Sequence, residues 1–332
     1  MKFSKLAVFL ISIIFLNGCL GDNNSDSDTE LAFGIRHDRS LSQYEEIALN
    51  TSESQEFPDF SPVVFFDYSL DGSENKEFIA SGVLINEEWI LTAGHNFFDI
   101  EEQENLAPIS GINVLIGNDP NNPIAEYSIS EIVLHPTWEN GDQDYSDAND
   151  LSLVRLSKPI NSIVPAVLNS SATENIGAIV WHAGFGDYSE TKGQNPDLYS
   201  KKHAIQNILD RKVSGLNTMF DGVSYSGGLL AFDFDDPDGN INSLGDNIIN
   251  EDEQILGAGT SSSGALSFEG ATVSGDSGGP LFIFLEGRWV VAGILSGGAS
   301  EPINNHEDAS YGDISIYTRV STTYDWIISV IE

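Results

Sequence analysis

A serine, a histidine and an aspartate stand far apart in this chain, yet each has a setting from which it could enter one reaction. Ser277 lies in Gly275-Asp276-Ser277-Gly278-Gly279-Pro280. A serine hydroxyl becomes a useful nucleophile only when a neighbouring base takes its proton. His95, at the end of Trp89-Ile90-Leu91-Thr92-Ala93-Gly94-His95, is a candidate base. A carboxylate that orients the imidazole would complete the set. Asp150 leads the run Leu151-Ser152-Leu153-Val154-Arg155-Leu156, while Asp142, Asp144 and Asp147 offer the same chemistry without introducing a strand directly. Together such groups would suit nucleophilic catalysis by an activated serine.

The elements that must position them read as strands. Residues 57–70, 78–85, 89–92, 112–116, 129–134 and 151–156 are short runs rich in aromatic and branched residues, separated by Asp-Gly, Gly, Asn and Glu. Many short strands at this spacing predict an all-β sandwich or barrel. Residues 281–285 form one more such run after the serine, stiffened at its entry by Pro280. Near the C-terminus the period changes: Tyr324, Ile327, Ile328 and Ile331 fall on one helical face, with Ser321 as the expected N-cap.

Three stretches together resemble the trypsin/chymotrypsin family of serine proteases: Ser81-Gly82-Val83-Leu84-Ile85 with Trp89 to His95, Asn149-Asp150-Leu151-Ser152-Leu153, and Gly275 to Pro280, in the order His, Asp, Ser. Ala178-Ile179-Val180-Trp181-His182-Ala183-Gly184-Phe185-Gly186 is similar to the family's strand ending in a Gly-aromatic-Gly turn, and His182 within it is read as a packed residue outside the site. The resemblance implies two six-stranded antiparallel β-barrels with a C-terminal helix: a protease domain over 35–332, its first barrel at about 35–163 and its second, with the helix, at about 164–332. It implies a serine endopeptidase in which His95, Asp150 and Ser277 are catalytic and the backbone N–H groups of Gly275 and Ser277 form the oxyanion hole. Asn96 stands where the family usually has a disulfide-bonded cysteine.

The same resemblance assigns the substrate site. Ala271 falls at the base of the primary specificity pocket, Gly298 and Ser315 at its walls, and Ser296-Gly297-Gly298 pairs with the substrate backbone as an added strand. With no carboxylate at the base, an apolar or small residue is expected before the cut, unless a shift in alignment brings Glu269 into the pocket. In the family, cleavage creates an ammonium that pairs with the aspartate before the nucleophile, here Asp276. The nearest candidate is Ile35, in Phe33-Gly34-Ile35-Arg36, with no Arg or Lys before it. Either a cut there activates the enzyme, or another cation serves Asp276 in an uncut chain.

Residues 1–18 read as a targeting segment: Lys2 and Lys5 precede the apolar run Leu6 to Leu16, too short for a comfortable membrane span. The ending Leu16-Asn17-Gly18-Cys19 resembles a bacterial lipoprotein signal, which implies acylation of Cys19 and a protein held on the cell envelope by lipid, at the outer membrane if the source is Gram-negative. Cleavage before Ile35 would release it. Residues 19–34 then form an acidic tether or propeptide. Cys19 is the sole cysteine, so no intramolecular disulfide can form.

With 51 acidic and 14 basic residues the net charge is -37, which argues against binding nucleic acid through a basic patch. A monomer acting on protein or peptide substrates is expected. The spacing from Asp150 to Ser277 predicts extra loops in the second half, the foremost being the acidic stretch from Asp233-Phe234-Asp235-Asp236-Pro237-Asp238-Gly239 to Glu253. Its carboxylates suit calcium, but an EF-hand with Gly239 at its turn would need a ligand where Phe234 stands. A solvated loop is the expectation, with no cofactor. The rival reading from another class is a catalytically silent binding or adhesion lipoprotein on the same fold.

Overall fold

The computed structural model describes residues 34–69, 72, 76, 78–99, 104–139, 149–190, 200–220, 223–245, 256, 259–299 and 309–332. The targeting segment, Cys19, nearly all of the tether, the carboxylates of Asp142, Asp144 and Asp147, and 246–255 of the acidic stretch lie outside them.

Alternating branched and aromatic residues in the first half form β1 (Val63–Tyr68), β2 (Phe78–Leu84), β3 (Trp89–Thr92), a short pair β4 (Phe98–Asp99) and β5 (Glu104–Asn105), β6 (Ile112–Ile116), β7 (Ala125–Leu134) and β8 (Ser152–Leu156). Six of these close a barrel in the order β1-β2-β3-β8-β7-β6, filled by Val64, Phe66, Ile90, Val114 and Val154. All its neighbouring strands run antiparallel.

The second half forms β9 (Ile179–Gly184), β10 (His203–Ile208), β11 (Arg211–Phe220), β12 (Val223–Asp233), β13 (Pro280–Leu285), β14 (Arg288–Ala299) and β15 (Ile314–Arg319). These make a seven-stranded half-barrel in the order β10-β9-β13-β14-β15-β12-β11, where a second six-stranded barrel was expected. The difference lies in the β11–β12 hairpin, which ends at Asp233, where the acidic stretch expected to loop out begins. Its two strands pair antiparallel from Arg211 opposite Ala231 to Phe220 opposite Val223.

Residues 164–168 run between the halves. Ala166 N–H donates to Leu84 O of the barrel, and Val167 O accepts from Val291 N–H of the sheet. A common core of Phe60, Phe65, Leu153, Trp181, Phe185 and Phe282 fills the seam between them. At 20–33 cal/mol per Å² of apolar surface removed from water, such large side chains each contribute about 2 kcal/mol or more to holding the halves together.

Three helices are described: α1 (Leu41–Ala48), the single turn α2 (Pro136–Glu139) and α3 (Val320–Ile331). The opening of α1 is marked by Gln43 Oε1, which accepts from Ser40 N–H; its buried face is Tyr44 and Ala48. Helix α3 begins at Val320 with Arg319 as N-cap, two residues before the expected cap. Ser321 does not cap it, because its hydroxyl donates to the buried carboxylate of Glu174, which also pairs with Arg319. The helix turns Val320, Thr323 and Ile327 inward most fully. Among the described residues no helix is long and apolar enough to cross a membrane.

Candidate active site

His95 follows β3 and Asp150 precedes β8, and these strands pair with Thr92 opposite Ser152. That register alone brings the two residues together. His95 Nδ1 donates to Asp150 Oδ2 at 2.7 Å, and His95 N–H donates to Asp150 Oδ1 at 2.8 Å. Asp150 is 1% exposed, whereas the His95 side chain keeps 21% of its surface in solvent. The imidazole is therefore fixed on its Nδ1 side and open on the other. A third donor, the Ser296 hydroxyl, reaches Asp150 Oδ2 at 2.6 Å from β14. Sequence reasoning gave Ser296 a substrate-pairing role and missed this one, since it depends on a contact between the two halves.

Ser277 stands in the loop before β13, and that loop is gripped from both sides. Ser81 N–H of β2 donates to Ser277 O at 2.9 Å, and the Ser81 hydroxyl donates to Gly275 O at 2.9 Å. On the other side Gly278 N–H donates to Leu295 O, and Leu295 N–H to Gly279 O. Asn96 Nδ2 donates to Ser277 O at 3.1 Å and to Thr92 Oγ1 at 3.0 Å, tying the serine's backbone to the residue beside His95. Where a disulfide is usual, this chain thus has an amide that spans the halves. Among the described residues no hydrogen bond joins the Ser277 hydroxyl to His95; such bonds are often long before substrate arrives.

Gly275 has φ +95°, a conformation side chains rarely tolerate. Among the described residues, neither Gly275 N–H nor Ser277 N–H donates to a protein acceptor, so both are free for an incoming oxygen.

Asp276, between those two amides, is fully buried. Gly186 N–H donates to its Oδ1 at 2.9 Å; the Tyr188 hydroxyl and Val273 N–H donate to Oδ2 at 2.7 and 3.1 Å. Two imidazoles close the pocket: His203 Nε2 lies 3.2 Å and His182 Nε2 3.5 Å from Oδ1. Burial alone would raise the carboxyl, but His203 and His182 outweigh it and hold the group far below the usual carboxylate range. Burial and the Asp276 charge push the Tyr188 phenol well above its ordinary value, so it remains a donor. Gly184 is needed for close approach, since a Cβ there would lie 2.2 Å from Asp276 Oδ1. This corrects the reading of His182 as lying outside the site and adds His203 and Tyr188. The one sequence signal was the Gly184-Phe185-Gly186 turn.

Ile35 is buried and bridged to Gly270 as an internal residue. Ala271 is buried against Phe234 and Tyr311. Ser315 is 1% exposed, and its hydroxyl lies 2.9 Å from the Thr272 hydroxyl. Glu269 is turned elsewhere: its carboxylate accepts from Asp235 N–H and Leu266 N–H. Gly297 and Gly298 are exposed on β14, beyond a register shift at Ser296. Cavities of about 350 and 500 Å³ lie away from all these groups, the larger lined by Phe57, Trp181, Phe268 and Trp289.

The acidic stretch is not a solvated loop at its start. Asp233, Asp235 and Asp236 are buried, because Asp233 closes β12 opposite Ile314 and the chain then turns beneath β15; Asp238 is exposed. Among the described residues no three His, Cys, Asp or Glu side chains converge as metal ligands.

A family model described as Trypsin matches residues 63–218 and 247–327, more than half of the chain. Vitamin K-dependent protein C of Rattus norvegicus is 26% identical over 261 residues, which are 77% of this chain and 47% of that protein. The chain thus spans about half the length of that relative.

Proposed function

We propose, because the chain belongs to the trypsin family, that it is a serine endopeptidase. The observation that carries the reading is the ordered array of Ser296, Asp150 and His95 beside a serine loop whose two amides are free. In the proposed reaction the open nitrogen of His95 takes the Ser277 proton as the hydroxyl attacks the scissile carbonyl, then gives it to the leaving amine. Asp150 keeps the Nδ1 proton in place and offsets the imidazolium charge. The tetrahedral oxygen sits between Gly275 N–H and Ser277 N–H, and losing one such donor costs on the order of 3 kcal/mol of transition-state stabilisation. A serine-directed organophosphate should label the wild type at Ser277 and leave Ser277→Ala unlabelled. A folded wild type that neither labels nor cleaves denatured protein would favour the silent binding reading.

Ala271, with the Thr272 and Ser315 hydroxyls above it, supports a short pocket for a small or apolar residue before the cut. A strict Arg/Lys preference in a peptide library would overturn that assignment. Acylation of Cys19 is proposed on its signal-like surroundings. Incorporation of labelled palmitate, lost in Cys19→Ser, would test it.

A further inference from the structure

Asp276 sits between the two oxyanion donors, so whatever fixes its carboxylate fixes the direction of both amides. A carboxylate with no contact to water needs donors and a compensating charge inside the fold, or the group would take up a proton instead. The described structure satisfies it without any chain terminus. Oδ2 accepts from Tyr188 and Val273 N–H, and Oδ1 accepts from Gly186 N–H and faces the Nε2 atoms of His203 and His182. These rings reach the same oxygen from adjacent strands, β9 and β10, where His203 pairs with Gly184 and His182 with Ile205. Tyr188 packs on His203 with ring centroids 3.6 Å apart, which fixes that ring from behind.

The segment that would have to be cut is already docked on this pocket. A Cβ at Gly34 would meet the Tyr188 ring at 2.8 Å and Val273 at 2.6 Å, so the backbone lies against two of the residues that hold Asp276. Gly34 N–H donates to Ala309 O, and Gly34 O accepts from Ala271 N–H. Gly34 and Ile35 are both buried. A protease binds its target as an exposed extended strand, whereas this peptide bond is buried and its carbonyl, Gly34 O, is already held by Ala271 N–H.

On the reading of the chain as a serine protease, we propose that His182 and His203 supply from within the sheet the partners that a chain terminus would otherwise offer Asp276. The chain is then competent with the Gly34–Ile35 bond intact, and the two histidines are positioning residues for the oxyanion amides. They touch neither substrate nor the reacting atoms and act through Asp276. Activity and membrane attachment are therefore compatible in one uncut chain.

The test uses the full chain. Protein labelled by a serine-directed organophosphate is isolated, and its mass and N-terminal sequence are read. The expected labelled species is continuous through Gly34–Ile35. In parallel, His203→Gln and His182→Gln are compared with wild type for kcat, KM and thermal midpoint. Each is expected to lower kcat about 100-fold while KM changes less than about twofold, the pattern of a lost transition-state interaction. A purely structural role would instead shift the midpoint and the active fraction, leaving kcat per labelled site unchanged. If the labelled species begins at Ile35, or kcat per labelled site survives both substitutions, the proposal is overturned while the protease reading stands. If nothing labels, cut or uncut, both fall. Since the mass measurement is made on wild type, it decides even if a variant fails to fold.

Discussion

Asp276 and the group formed by Asp210, Asp233, Asp235 and Glu269 are all buried on the second sheet, and they carry charge in opposite ways. Burial pushes every one of them up. For Asp276, His203 and then His182 reverse that push, and a phenol and two amides also donate to the carboxylate. The other group has amide donors at Asp233 and Glu269, and the Arg211 charge acts downward on Asp233, yet the carboxyls also face one another. Asp210 and Asp233 are both raised, by burial first; Asp235 is pushed up to about 9 by burial and then by Asp233, Glu269 and Asp236; Glu269 rises to about 7. Whether a buried acid keeps its charge is thus decided by its partners rather than by its depth. The site held ionised adjoins the catalytic loop, and the group whose carboxyls are raised lies where no chemistry is proposed.

The largest break in this contrast should come from Asp276→Asn. Removing one partner of a buried charged set typically costs about 3–5 kcal/mol, and the amides flanking position 276 would lose their anchor. Urea unfolding should show a loss of that size, with kcat lower by about 100-fold or more. Wild-type stability in that variant would place Asp276 in the same class as the raised group.

The raised group predicts a pH dependence of definite sign. Its pKa values are higher in the folded than in the unfolded chain, so folding takes up protons above about pH 4. Its favourable effect is complete below the unfolded values and is lost as pH rises through about 7 for Glu269 and about 9 for Asp235. His135, lowered by burial to about 4, works in the opposite direction below about 6.5. Between pH 7 and 9 unfolding free energy should therefore fall with this group, and Asp235→Asn should remove up to about one proton, or about 1.4 kcal/mol per pH unit, from the slope. An unchanged slope would mean that Asp235 is ionised in the folded protein.

A smaller effect is expected at Ser296. Asp150 is as buried as Asp233, but three donors converge on it. Ser296→Ala removes one and leaves the other two, so kcat should fall about tenfold with little change in thermal midpoint, in keeping with the loss of one hydrogen bond to a charged group. A loss as large as that from Asp276→Asn would make Ser296, rather than His95, the chief partner of Asp150.

The halves also differ in how far they were legible from sequence. The first barrel's strands announce themselves as short runs of aromatic and branched residues between turn residues, and His95 and Asp150 end up together because they flank two strands that pair directly. In the second half, β11 and β12 lie where the resemblance to the family is weakest, and no strand was expected there. Ser40 and Gln43 mark the start of α1, a helix among residues assigned to the first barrel. The partners of Asp276 left less trace. His182 and His203 come from paired strands far from Ser277 in sequence, and only the folded sheet brings them to one oxygen. Nor could composition say that carboxylates in an acidic run would be buried, because that follows from where β12 ends against β15.

Lys202 offers the mirror image of the raised carboxylates and the last test of the rule. Its ammonium is buried, and Nζ donates to Phe60 O at 3.0 Å. Burial lowers it to about 7, with Asp59 acting only weakly the other way. An amine depressed in the folded state is a liability while the unfolded chain holds the extra proton, so its cost should fade as pH rises from about 7 to about 10.5. Lys202→Met keeps most of the volume and removes the charge. The variant should be no less stable than wild type at pH 6, with the advantage shrinking at pH 9 as wild type loses its buried charge. A variant clearly weaker than wild type at pH 6 would show that this cation, unlike the carboxylates of the acidic group, has found a partner that makes its burial favourable.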